Sequence, residues 1–205
     1  VTVPLDDLLS RALRGGAAAA PPSDADDRIL DAALAEFAAY GTARATMEDV
    51  GRRAGVSRIT VFRRFGSKDA LVERLLRREL ERFLAAVERR FDAVHDPAER
   101  IVEAFVACVR AGAEHPLVER MARVEAGVAF ERLFRGDPAP VDLGRAFVAR
   151  HLRADLPRKR ADAVADVLVR LAATYVFFAS PLLDPADERS VRAFARRALV
   201  PIAVP

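Results

Sequence analysis

Apolar residues recur at three- and four-residue intervals through most of this chain, and capping or breaking residues divide the pattern into helical segments. Ile29, Leu30, Ala33, Leu34 and Phe37 make one buried face behind Ser23-Asp-Ala-Asp26, whose acids suit the positive end of a helix. Tyr40-Gly41 closes that segment. Thr46 is a good N-cap with Asp49 three residues on, and Gly55 ends a short helix by taking a left-handed conformation. Ser57 caps the next helix, Gly66 stops it and Ser67 caps a third. Val50, Ala54, Val56, Val61 and Phe65 supply the core opposite the first helix.

A long helix starts at Lys68 and reaches about Phe91, with Leu71, Leu75, Leu80, Phe83, Leu84, Val87 and Phe91 inward. Its arginines, Arg78 among them, mostly alternate with Glu and read as a solvated surface. At 1.5 Å per residue it spans about 35 Å, enough to connect two domains. Asp96-Pro-Ala-Glu99 opens a helix to about Glu114, and His115-Pro116 breaks it. A further helix is expected to about Ala126 or beyond, then Gly127 and a short aromatic segment over 130–134, with helices over 142–152, 158–179 and 186–200, the last ending at Pro201. No segment shows period-two alternation between turn signals, and no repeat of fixed period is visible. The expected fold is all-α: an arm and linker (1–22), an N-terminal three-helix helix-turn-helix domain (23–68), a connecting helix (69–92) and a larger helical domain (93–205), to which the family resemblance given below assigns effector binding and dimerisation.

Charge changes the picture most between residues 51 and 68. Arg52, Arg53, Arg58, Arg63, Arg64 and Lys68 fall there without one Asp or Glu. A one-sign stripe on a short helix pair is the footprint of a polyanion binder, and the second helix of such a pair enters a DNA major groove. The whole-chain charge of +3 carries no such signal. Val61 and Phe65 share the core side. Arg58, Thr60, Phe62, Arg63 and Arg64 then face largely outward, with Arg58 a candidate for guanine readout, and Ile59 or Thr60 for a thymine methyl. Ser57 and Thr60 suit phosphate or base edges, and Thr46 joins them at the cap of the first helix of the pair. Lys68 opposes its helix dipole, which a bound phosphate would relieve.

The run Gly55-Val-Ser-Arg-Ile-Thr-Val-Phe-Arg-Arg-Phe-Gly-Ser-Lys-Asp-Ala-Leu71 resembles the signature of TetR/AcrR-type transcriptional regulators. The resemblance implies a phosphate-holding role for Lys68, a dimer through the last two long helices, and a helical cavity for a small hydrophobic effector. Phe62 stands where the family usually has Tyr, and Ile59 where it usually has a small residue. Candidate cavity residues are Phe105, Cys108, Met121, Val124, Phe130, Phe134, Phe147, His151, Tyr175 and Phe178. Candidate dimer residues are Val164, Val167, Leu168, Leu171, Val191, Phe194 and Ala198. These stripes also fit intrachain core.

With 205 residues, the chain can bury a sizeable core. Its single Cys108 excludes an intrachain disulfide and reads as a buried structural thiol, and no apolar run is long enough to span a membrane. A cytoplasmic protein is expected. The three histidines lack metal-ligand spacing, and no catalytic pair or phosphate loop is evident, so neither enzyme activity, metal nor cofactor is expected. Residues 1–22 read either as a mobile arm or as a basic arm placing Arg11 and Arg14 on DNA. The expected partners are double-stranded DNA, a small hydrophobic effector and a second copy of the chain, with no membrane partner. The expected function is that of a repressor released by its effector. An activator or a ligand-independent DNA binder is the alternative, and a helical carrier or enzyme is the alternative from another class.

Overall fold

The computed structural model describes residues 23–135 and 140–203. The proposed arm, with Arg11 and Arg14, lies outside them. The described residues form α1 (Asp24–Tyr40), α2 (Met47–Ala54), α3 (Arg58–Phe65), α4 (Lys68–Asp92), α5 (Pro97–Glu114), α6 (Pro116–Phe134), α7 (Pro140–Leu152), α8 (Arg158–Phe177), α9 (Glu188–Ala198) and α10 (Val200–Ala203). No strand occurs among them; Ser180 and Leu183 make one isolated bridge. The chain divides into two compact units, one ending at Glu81 and the other beginning at Arg82, a division that falls inside α4.

In the first unit, side-chain caps set where the helices start. Ser23 and Asp26 form a reciprocal capping box on α1. The core is Ile29, Leu30, Ala33, Phe37, Val50, Val61, Phe65, Leu71 and Leu75. Arg78 departs from the sequence expectation. It is buried, with Nη1 donating to the Asp27 carbonyl and carboxylate at 3.1 Å and Nη2 lying 2.8 Å from Asp31. A guanidinium is tolerated there because carboxylates of α1 meet it.

In the second unit, α5 is the central element: Ile101, Val102, Phe105, Val106 and Val109 are all buried, with α7, α8 and α9 against them. Asp96 caps α5 as its sequence predicts. Two boundaries differ from expectation. The helix expected to about Ala126 or beyond runs through Gly127 and takes in the short aromatic segment, ending at Phe134. Nothing forces a left-handed residue at Gly127, which keeps a negative φ, with open space where a Cβ would stand. Pro201 does not end the helical chain but sits in the first turn of α10, where its missing N–H has no partner to lose.

No helix among the described residues is long and apolar enough to cross a membrane.

Candidate nucleic-acid interface

The site is assembled from three short-range devices. Thr46 Oγ1 accepts from the Asp49 backbone N–H at 3.1 Å, and the Asp49 carboxylate accepts from the Thr46 backbone N–H at 3.0 Å and its hydroxyl at 2.6 Å. Those hydrogen bonds, Thr46 first, hold the Asp49 carboxyl below its ordinary value. Gly55 then turns the chain in a left-handed conformation, with φ 71° and ψ 29°. Ser57 restarts it, accepting from the Thr60 N–H at 3.1 Å. The turn is tight: a Cβ on Gly51 would stand 2.9 Å from the Val56 carbonyl oxygen and 3.3 Å from the Arg58 nitrogen.

Helix α3 therefore leaves the turn in a fixed direction. Val61 and Phe65 anchor it in the core, while Arg58, Ile59, Phe62 and Arg63 are open. Ile59 is 77% and Phe62 59% exposed, high values for large apolar side chains on a well-anchored helix. Thr60 is half-buried, and its hydroxyl lies 3.0 Å from that of Ser57. Arg58 and Lys68 line one open recess of about 330 Å³ together with Ala43, Ala45, Thr46, Met47 and Glu48. The recess joins three candidates from three elements, and Lys68 Nζ is steadied there by the Ala43 carbonyl at 3.3 Å. Ser67 Oγ caps the start of α4 through the Ala70 N–H at 3.1 Å. The recess thus offers cationic side chains beside a helix N-terminus, an arrangement suited to a phosphate.

Three of the six basic residues in the 51–68 stripe are held in ion pairs. Arg64 is exposed, as expected, but is tied to α1: its Nη1 lies 2.8 Å from Asp26 and 3.3 Å from Ser23 Oγ. Burial acts to raise the Asp26 carboxyl, but the Arg64 and Ser23 hydrogen bonds outweigh it and hold that group below its usual range. Arg53 binds Glu36 at 2.7 Å and Arg52 binds Asp49 at 2.5 Å. Lys68 keeps only a neutral carbonyl partner. Among the described residues Arg58 and Arg63 have no ion pair, so the charge available to a polyanion is concentrated on them and on Lys68. Sequence reasoning missed Glu48 and Met47 in the recess. Their position just after the Thr46 cap was the signal that could have found them.

The second unit separates the candidate cavity residues into three groups. Phe105, Tyr175 and Phe194 pack edge-on or tilted in the core. Phe91, His151 and Phe147 form a second stack, where His151 Nδ1 lies 3.0 Å from the Phe147 carbonyl. Phe130 gathers Phe134, Phe177 and Phe178 around it, with Phe178 partly exposed. Met121 is half-buried and Val124 exposed. Cys108 is half-buried by surface area, yet its thiol is surrounded closely enough that burial pushes it up to about 12, which removes thiolate reactivity. Of the candidate dimer residues, Val164, Leu168 and Val191 are buried within the chain itself. Val167 is exposed, and Leu171, Phe194 and Ala198 are half-buried. No group of three or more His, Cys, Asp or Glu among the described residues is placed to hold a metal.

A fixed helix pair with one buried edge, one open basic edge and capped termini has the form of a helix-turn-helix motif. Residues 29–75 match the family model for bacterial regulatory proteins of the tetR family. An uncharacterized HTH-type transcriptional regulator of Mycobacterium tuberculosis is 34% identical over 92 residues, covering 45% of this chain and 46% of that protein. The HTH-type transcriptional repressor KstR2 of the same organism is 31% identical over 87 residues, covering 42% of this chain and 44% of its own. The match spans about half the length of these curated relatives. A TetR-like transcriptional regulator from Rhodococcus sp. RHA1 has the same fold, with a TM-score of 0.63 at 18% identity, over 89% of this chain and 96% of that one. Residues 29–75 thus carry the N-terminal domain of tetR-family regulators, and the chain as a whole shares the fold of a TetR-like protein.

Proposed function

We propose that this protein is a sequence-specific DNA-binding transcriptional regulator, acting as a homodimeric repressor that a small hydrophobic effector releases from its operator. The observation that carries the reading is the division of α3, with Val61 and Phe65 locked inside while Arg58, Ile59, Phe62 and Arg63 stay open beside Lys68. Such a helix buries what it needs for stability and leaves the opposite edge for a groove. The relation to a repressor, KstR2, favours repression over activation. Two copies of the reader about 34–36 Å apart would address successive major grooves on one side of a duplex. The exposed Val167 and Ile202 around the seam of α8 and α10, with half-buried Leu171, give the dimer a surface to cover. The Phe130 ring group gives an apolar effector rings to displace. Release follows if the effector binds best to the form whose readers are misplaced.

The test is selection of duplexes by the full chain from a random pool, followed by fluorescence anisotropy with the enriched and a scrambled sequence. Salt-sensitive binding that favours the enriched duplex supports the reading; equal affinity for both duplexes contradicts it. Sedimentation should show a dimer at micromolar concentration.

A further inference from the structure

The helix that faces the groove presents an unusual composition, and its geometry divides labour among its side chains. At about 100° per residue, the edge opposite Val61 and Phe65 is centred on Arg63, with Ile59 about 40° from it, four residues back and a neighbour on one face. Arg58 lies well to one side, on the recess shared with Thr46 and Lys68. We propose that Ile59 and Arg63 choose the DNA sequence, Ile59 by covering a thymine 5-methyl group and Arg63 by gripping a guanine, while Arg58 belongs to the phosphate grip. This rests on the DNA-binding reading above and assigns roles within it.

Three observations support the division. Ile59 is the most exposed large apolar residue described, at 77%, and Phe62 one turn away adds a second open apolar surface. Among the described residues nothing of the chain's own covers them, and an apolar edge facing a major groove meets one apolar group there, the methyl of thymine. Arg63 has no ion pair among the described residues, whereas Arg64 beside it is committed to Asp26. A guanidinium free of carboxylates keeps its fork for guanine O6 and N7. Arg58 shares its recess with the lysine at the start of α4, so its natural ligand is the anion that lysine meets. Cβ atoms about 5–6 Å apart, against a base-pair rise of about 3.4 Å, put the thymine and the guanine within about two steps of each other.

The experiment uses the full chain and its selected duplex. Each thymine is replaced in turn by deoxyuridine, which removes only the methyl group, and affinities are compared for the wild type, Ile59→Ala, Arg63→Ala and Arg58→Ala. At one thymine per half-site the replacement should weaken wild-type binding about fourfold, and Ile59→Ala should abolish that difference. Arg63→Ala should lose about tenfold or more of the discrimination at a G·C pair within two steps of that thymine. Arg58→Ala should weaken selected and scrambled duplexes alike. The assignment is overturned if deoxyuridine costs the same in Ile59→Ala as in wild type, if it costs nothing at any thymine, or if Arg58→Ala rather than Arg63→Ala loses base discrimination. Each of those outcomes leaves DNA binding itself intact. Failure to bind any duplex would overturn both the assignment and the reading beneath it.

Discussion

The two units of this chain are held together by different kinds of contact. In the first, the contacts that start each helix of the site are local: Thr46 with Asp49, Ser57 with Thr60, Ser67 with Ala70, all three residues apart. In the second, they are long-range. Arg90 of α4 reaches Glu103 and Glu188, Arg192 of α9 pairs with Glu103 as well as Glu188, and Arg196 makes a double contact with Glu99 at 2.9 Å. Helix starts set by local caps leave the outer edge of α3 with no structural task. A unit built from long-range ion pairs around an apolar centre depends on its helices staying in register.

That contrast is broken most severely at the turn. Gly51→Val puts a branched side chain where even a Cβ meets backbone at 2.9 Å. It should cost about 2–4 kcal/mol, visible in thermal unfolding, and should abolish DNA binding. In the second unit, Glu103 is buried between two arginines. Glu103→Gln leaves both guanidiniums short of a counter-charge and should destabilise by about 2 kcal/mol, the low side for a buried pair because both arginines reach water. Denaturant unfolding measures it, and loss in Gln but not Asp at this position would separate charge from volume.

The same network carries a pH signature. Hydrogen bonds from Arg90, then Arg192, lower the Glu188 carboxyl from an ordinary 4.5 to about 2. A depressed folded pKa means the contribution is fully present above about 4.5 and disappears as pH falls toward 2. Urea unfolding from pH 6 to pH 2.5 should therefore show a loss of stability in wild type that is smaller in Glu188→Gln. Because this carboxylate is partly exposed, solvent screening reduces the difference. Thr46→Ala removes one cap and should cost about 1 kcal/mol, recovered by Thr46→Ser. Smallest is Glu48→Gln. Removing the carboxylate from the recess that holds Arg58 and Lys68 should strengthen binding to unselected DNA a few-fold, measured by anisotropy at low salt.

What could be read in the sequence follows the same divide. Ser23, Thr46, Ser57 and Asp96 announced their helices because a cap acts within one turn, and Gly55 announced the bend because few other residues take its left-handed conformation. The basic stripe announced the interface. It could not show that Arg64 is drawn off by Asp26, 38 residues away, or that Arg78 is buried against Asp27 and Asp31. Nor does a helical apolar stripe say which partner covers it: Val164 and Leu168 lie in their own chain's core, while Val167 on the same helix stays open. Gly127 shows the reverse case, a residue whose type suggests a stop where its surroundings demand none.

The central claim is that Arg58 and Lys68 in the recess, beside the open edge of α3, meet DNA phosphates. It is tested most directly by measuring log Kd against log salt for the wild type and for Arg58→Ala/Lys68→Ala on one duplex. The account predicts a slope shallower by about two in the double variant, one phosphate for each cation removed. Parallel lines for the two proteins would contradict it.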